Sequence, residues 1–133
     1  SALNLVEFRD EDVIFKKAVD YLKKTQQKDG GWGEDGRTYD KKFIGYKINS
    51  TPSQTAWAVM GLISAGEIKS DAVKNGISFL LKKKWDEEMF TAVGFPKVFY
   101  LKYHGYAKYF PLLAISKYKN LIKSNSNKPI YGA

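Results

Sequence analysis

Residues 17–32, KAVDYLKKTQQKDGGW, and residues 74–85, KNGISFLLKKKW, follow one plan. Each runs from a small residue through an aromatic–leucine pair (Tyr21-Leu22 and Phe79-Leu80) into a lysine-rich turn that closes on a tryptophan. Two copies of a unit of roughly 50–60 residues point to an array of helical hairpins, in which neighbouring units cover each other's apolar faces. A length of 133 residues suits one such domain.

Helical periodicity fills in the units. In residues 12–26, Val13, Ile14, Ala18, Tyr21 and Leu22 fall on one face, with Lys16, Lys17, Lys23 and Lys24 on the other. Asp10, Glu11 and Asp12 stand at the helix start, where negative charge complements the dipole. The glycines of QKDGGWGEDGRTYD predict a tight irregular turn, and Trp32 within it is expected to fold back onto a helix. STPSQTAWAVMGLISAGE has a strong helix start: Ser50 or Thr51 as cap, Pro52 in the first turn, and Gln54 at capping-box spacing from Thr51. Ala56, Trp57, Val59, Met60, Leu62 and Ile63 make this helix apolar nearly all round, the pattern of one buried on most sides. Gly66 supplies a stop. Ser70 opens a third helix that reaches about Lys83. A fourth covers residues 107–124, with Leu112, Leu113, Ile115, Tyr118 and Ile122 facing in and Pro111 either opening or kinking it. No strand pattern is visible, so the chain reads as all-α. Residues 10–124 form the helical domain, 1–9 an N-terminal extension with a candidate cloning remnant at Ser1-Ala2, and 125–133 a polar tail.

Composition removes several function classes. Cysteine is absent, which excludes disulfides and thiolate metal sites. The single histidine, His104, with no second ligand at zinc-site spacing, argues against a metal centre, and no cofactor is indicated. The net charge of +8 comes from lysine, since Arg9 and Arg37 are the only arginines. Lysine is a point charge without the planar fork that reads bases and phosphates. The excess therefore fits solubility and attraction to an anionic surface such as a membrane, and speaks against nucleic acid. No apolar run approaches the ~20 residues of a membrane span. Glu7 and Asp10 within the first ten residues leave no signal-peptide pattern.

Residues 94–106, GFPKVFYLKYHGY, crowd Phe95, Phe99, Tyr100, Tyr103, His104 and Tyr106 together without one acid. On composition alone these rings read as core or interface.

The first repeat copy resembles the QW motif of triterpene cyclases. It has the basic–small pair Lys17-Ala18, the aromatic–aliphatic pair Tyr21-Leu22, then Gln26, then Gly30-Gly31-Trp32. DGGWGED, STPSQTAWAVMGLISAGE, GFP, FYL, the Tyr103-x-x-Tyr106 pair and YFPLLAISKYK follow in the order typical of squalene–hopene cyclases near their carboxyl end, over about residues 12–120. The resemblance implies an α/α (toroid) barrel of which these helical hairpins form part. It also implies an isomerase that cyclises a squalene-like polyene to hopanoid-type triterpenes. Gln26, Gly30 and Trp32 would be structural, the glutamine amide binding free backbone groups at a helix end while its flat face lies on the indole. The second copy departs from the motif: Lys84 replaces the glutamine, Asn75 the basic residue, and no Gly-Gly precedes Trp85. The glutamine–tryptophan clasp is expected to be missing there.

The resemblance also gives the aromatic stretch a purpose. Polyene cyclisation passes through carbocations, which a π-face stabilises and a carboxylate would capture. A water-free cavity walled by Phe and Tyr can hold an apolar chain and guide its charge. Carried over residue by residue, Phe95 and Phe99 face late cationic centres, and Tyr103 and Tyr106 extend the wall. Tyr100 and His104 receive no family role, and packing or surface is their default. The family's initiating Asp-x-Asp-Asp motif is absent. RDEDVIF, with Val13 in the third position, reads as a helix cap, and WDEEMF (85–90) as a solvated turn. No catalytic residue is assigned.

The chain is accordingly expected to be a carboxyl-terminal piece of a longer cyclase, inactive alone. Its partners would be the polyene and the remainder of the cyclase chain, and uncovered apolar faces would favour self-association. The intact enzyme would be monotopic on the cytoplasmic side of the membrane, and this piece soluble. Lys16, Lys17, Lys23, Lys24, Lys82, Lys83 and Lys84 would add weak attraction to anionic lipid. Two other readings fit the helical pattern. One is a stand-alone helical-repeat module that binds lipid or protein. The other is a different α/α-barrel family such as protein prenyltransferase subunits, which needs Asp/Cys/His zinc ligands in a chain that has no cysteine.

Overall fold

The computed structural model describes residues 13–43, 48–88, 90–95 and 98–124. The expected N-terminal extension, the acidic cap at Asp10, Glu11 and Asp12, and the polar tail lie outside the described residues. Four helices form in chain order: α1 Val13–Thr25, α2 Pro52–Ser64, α3 Asp71–Lys82 and α4 Tyr106–Lys123. Two short 3-10 turns, Gly36–Tyr39 and Lys41–Phe43, lie between α1 and α2. The fold is all-α, and the four described helices do not close a barrel.

Local signals set the helix ends. Thr51 Oγ1 accepts from the Gln54 N–H at 3.4 Å, and Pro52 occupies the first turn of α2. Gln54 does not return the bond that a capping box requires. Its amide pairs instead with the backbone of Glu34, accepting from the N–H at 2.6 Å and donating to the carbonyl at 2.9 Å. At the other end Gly66 takes φ +83°, a left-handed value that suits glycine. Its N–H reaches the Ile63 carbonyl and the Glu67 N–H reaches Leu62, so two orphan carbonyls are satisfied in a Schellman turn. Ser70 caps α3 through the Val73 N–H.

The core is built around α2. Val59, Leu62 and Ile63 meet Val73, Ile77 and Leu80 of α3, with Trp32 from the glycine-rich loop and Ala114 from α4. The most extensive helix contact is α2 with α4. The stripe of α4 that makes it differs from the expected one. Leu112, Leu113 and Ile122 are exposed, whereas Ala107, Pro111 and Ala114 are buried, flanked by Phe110, Ile115, Tyr118 and Leu121. Small side chains at helical spacing let α4 approach α2 closely, and that outweighs the larger transfer energy of the leucines. Pro111 sits inside α4, so it does not open the helix.

Helix α1 also departs from expectation. None of its residues is buried, and Val13, Ile14 and Tyr21 stay exposed. Only Val19 and Leu22 pack against the core. A second departure is a two-stranded antiparallel ribbon, β1 Ala92–Phe95 with β2 Phe99–Leu101, in the aromatic stretch. Its register pairs Val93 with Tyr100 and Phe95 with Phe99, with an irregularity between Val93 and Phe95. Strands this short carry too few residues to display a period of two. Among the described residues no helix is long and apolar enough to cross a membrane.

Candidate functional site

The glycine-rich loop sets the frame. Trp32 is buried, and its indole N–H donates to the Leu22 carbonyl at 2.8 Å, one of the four carbonyls left free at the end of α1. Its backbone N–H donates to Thr55 Oγ1 at 3.0 Å, and its carbonyl accepts from the Thr51 N–H at 2.9 Å, both at the start of α2. The ring lies against Gly76 of α3, where an added Cβ would come within 3.0 Å of Trp32 Cζ3. One residue thus joins three helices. The Gln26 amide donates to the Gly30 carbonyl at 2.8 Å and to Ala72 of α3 at 2.9 Å. It bridges the loop to the first turn of another helix rather than capping its own. Gly30 has φ +89° and passes so close to α3 that a Cβ would lie 2.7 Å from the Asn75 carbonyl oxygen.

The second copy keeps half of this arrangement. Lys84 is exposed and offers no amide, yet the Trp85 indole N–H donates to the Leu80 carbonyl at 2.7 Å. The segment that follows is not wholly solvated. Asp86 and Glu88 are exposed, but Glu87 is buried, and its Oε2 accepts from the Ser53 N–H of α2 at 3.1 Å.

From this anchored segment the chain enters the ribbon. Phe95 and Phe99 meet edge to face at 5.5 Å and are 63% and 42% exposed. Phe99 and Leu101 share one side of β2, while Tyr100 turns to the other and gives its hydroxyl to the Gly36 carbonyl at 3.2 Å. Tyr100 therefore packs, and its ring leans on Gly36. His104 is exposed.

A second aromatic group forms where α4 begins. Tyr103 stacks on Tyr106 at 4.9 Å, and Tyr106 meets Phe110 and Trp57 edge to face at 5.1 and 5.7 Å. Trp57 and Phe110 close the triangle at 5.2 Å. The four rings singled out in the sequence thus fall into two pairs. Trp57 and Phe110 belong with the second pair, although the motif does not include them. Their signal is positional: Trp57 sits in the midst of the apolar face of α2, and Phe110 one turn after Tyr106. From Met89 to Ala133 the sequence holds no aspartate or glutamate, so Phe95, Phe99, Tyr103, Tyr106 and Phe110 lie on a stretch of chain that brings no carboxylate of its own.

One acid near the site is deliberately paired. Burial pushes the Asp35 carboxyl up, but the Arg37 side chain, backbone N–H and charge together hold it below its usual value. Its two oxygens accept from Arg37 N at 2.7 Å and Arg37 Nε at 2.8 Å.

The class of protein to which this clasped helical frame and its two ring groups belong is given by comparison with known proteins. The family model of the squalene–hopene cyclase C-terminal domain matches residues 1–120, and the chain belongs to that family. It is 48% identical over 131 residues to the squalene–hopene cyclase of Bradyrhizobium diazoefficiens, covering 94% of this chain and 20% of the relative. A probable squalene–hopene cyclase of Sinorhizobium fredii is 47% identical, with 93% and 20% covered. The squalene–hopene cyclase of Zymomonas mobilis is 45% identical, with 98% and 21% covered. The chain spans about a fifth of the length of these curated relatives.

Proposed function

We propose that this chain is the carboxyl-terminal part of a squalene–hopene-type cyclase, residues 10–124 forming part of its α/α barrel. In this reading it supplies an aromatic wall that stabilises carbocations while a squalene-like polyene closes its rings. The observation that carries it is the pair of ring groups, Phe95–Phe99 and Tyr103–Tyr106–Phe110–Trp57, of which Phe95, Phe99 and Tyr103 are exposed while Trp57, Tyr106 and Phe110 are half-buried beneath Tyr103. Phe95, Phe99 and Tyr103 at 63%, 42% and 48% exposure are not core residues. Apolar rings left open in this number mark a surface that something else covers. The remainder of the cyclase chain is that cover, and with it in place the open wall becomes a cavity. Gln26, Gly30 and Trp32 hold the frame and do no chemistry.

Each ring offers a cation–π contact of roughly 2 kcal/mol once water is excluded. The initiating acid is assigned to the part of the enzyme outside this chain, so the 133 residues alone are inactive. Exposed Val13, Ile14, Leu112 and Leu113 favour self-association of the isolated chain. Contact with anionic lipid is weak, and Lys23 is partly neutralised by Glu67 at 2.8 Å.

The test replaces the matched segment of the Bradyrhizobium diazoefficiens enzyme with this chain. The chimera is expected to cyclise squalene, and residues 1–133 alone are expected not to. An inactive, folded chimera would overturn the reading, as would turnover by the chain alone.

A further inference from the structure

We infer that Glu87 is a positioning residue that fixes the Phe95–Phe99 ribbon relative to the Trp57–Tyr106 group. The inference rests on the cyclase reading for its consequence and on the geometry of α2 for its cause.

The first turn of α2 has free N–H groups that need partners. Pro52 has no N–H. Gln54 N–H is taken by Thr51 Oγ1 and Thr55 N–H by the Thr51 carbonyl. Ser53 N–H remains, and Glu87 Oε2 takes it at 3.1 Å. Glu87 is 8% exposed and Ser53 is fully buried, so water does not substitute readily for either partner. A carboxylate at this place also meets the positive end of the helix dipole. Ser53 Oγ, on the same residue, is buried without a partner among the described residues, so it does not compete for the bond.

Two further contacts hold the same segment. Trp85 gives its indole N–H to Leu80 of α3, and its carbonyl accepts from Lys108 Nζ of α4. Lys108 is exposed, and the Leu80 bond belongs to the end of α3. Among the described residues Glu87 is therefore the buried hydrogen-bonding contact that ties residues 85–88, ahead of β1, to α2. Trp57 lies one turn along α2 from Ser53, on the same side of the helix. The bond thus ties the segment that precedes the strand bearing Phe95 to the first turn of the helix bearing Trp57. Among the described residues the ring contacts of Phe95, Phe99, Tyr103, Tyr106, Phe110 and Trp57 fall within the two groups, so anchors such as Glu87, together with the Tyr100–Gly36 bond, set the distance between them. A cation moving along a polyene needs that distance fixed, since misplacement by about 1 Å is costly in rate.

The test has two arms. In the 133-residue chain, amide exchange is followed by NMR. Glu87→Ala is expected to speed exchange at Phe99–Leu101 and at Ser53 by about tenfold while Ile77 in the core changes by less than about twofold. Ser53→Ala keeps the N–H and is expected to leave the ribbon unchanged. If Glu87→Ala does not fold, Glu87→Gln carries the test, because it keeps an acceptor and loses the charge; its expected acceleration at the ribbon is about threefold. Ribbon exchange within about twofold of the parent in the folded variants, or equal acceleration at Ile77, would overturn the inference.

The second arm uses the cyclase chimera. Glu87→Ala is expected to raise the share of incompletely cyclised products, with partial recovery in Glu87→Gln. A changed rate with an unchanged product ratio would overturn the positioning role. A parent chimera without activity would count against the cyclase reading alone, and the exchange arm would still decide whether Glu87 holds the ribbon.

Discussion

Trp85 donates its indole N–H to the Leu80 carbonyl at 2.7 Å, and Trp32 makes the same bond to Leu22 at 2.8 Å. Both leucines follow an aromatic residue in the last turns of α3 and α1, so the two repeats share a physical device as well as a pattern. The indole satisfies a carbonyl that the helix cannot satisfy itself. The glutamine adds a second link in the first copy, through Gly30 and Ala72. The second copy lacks that link and replaces it with Glu87 at the start of α2.

Trp32→Ala should cost about 3–5 kcal/mol, because a large buried ring leaves a cavity. Trp32→Phe keeps most of the ring and loses the N–H, and should cost less, leaving the Leu22 carbonyl with its weaker Thr25 contact at 3.3 Å. Gln26→Ala should fall below Trp32→Ala in cost. Urea unfolding midpoints order the three variants, and a Trp32→Ala midpoint equal to the parent's would remove the clasp.

Gly76→Ala tests the slot that admits Trp32. An added Cβ would lie 2.4 Å from Val59 Cγ2 and 3.0 Å from Trp32 Cζ3, and Val59 is fully buried. Alanine in a helix is worth up to about 1 kcal/mol over glycine. Overpacking of about 1–3 kcal/mol should exceed that gain. The expected result is a lower thermal midpoint, and a higher one would show that Val59 and Trp32 can move aside.

Asp35→Asn should destabilise the chain at neutral pH by on the order of 1 kcal/mol, through loss of the charged pair with Arg37. The folded-state value of Asp35 is depressed, so its contribution is complete above the unfolded value of about 4 and is lost as pH falls through the lower folded value. Parent and variant stabilities should therefore converge below about pH 4. A difference that stays constant down to pH 2 would mean that the carboxylate charge is not the cause.

Helix ends were legible in the sequence because caps act locally: Thr51, Pro52, Gly66 and Ser70 each fix backbone within a turn. The inward stripe of α4 was not legible. With Leu112, Leu113 and Ile122 available, periodicity favours the large side chains, whereas the close approach to α2 selects Ala107, Pro111 and Ala114. Glu87 was unreadable for a different reason. A glutamate in WDEEMF looks the same whether it faces water or caps a helix more than thirty residues away. The motif rings were legible as a group, but their division into two pairs depends on a ribbon too short to announce itself. Trp57 was visible as helix core and not as a member of the second ring group.

Binding to anionic vesicles should be weak and salt-sensitive, with on the order of 1 kcal/mol per lysine that reaches the surface. Sedimentation at low and high salt measures it. Tight binding that ignores salt would point to an apolar anchor on this chain instead of its lysines.

The central claim is that Phe99 stabilises positive charge rather than merely packing. The most direct measurement is the product spectrum of the squalene-cyclising chimera carrying Phe99→Ala, beside Phe99→Trp as the variant that keeps a π-face. Loss of a cation–π contact of roughly 2 kcal/mol raises the barrier to late ring closure about thirtyfold. Cations stalled before that step lose a proton early, so incompletely cyclised products should accumulate in Phe99→Ala and recede in Phe99→Trp. A Phe99→Ala enzyme that forms the parent's products in the parent's proportions, only more slowly, would contradict the account.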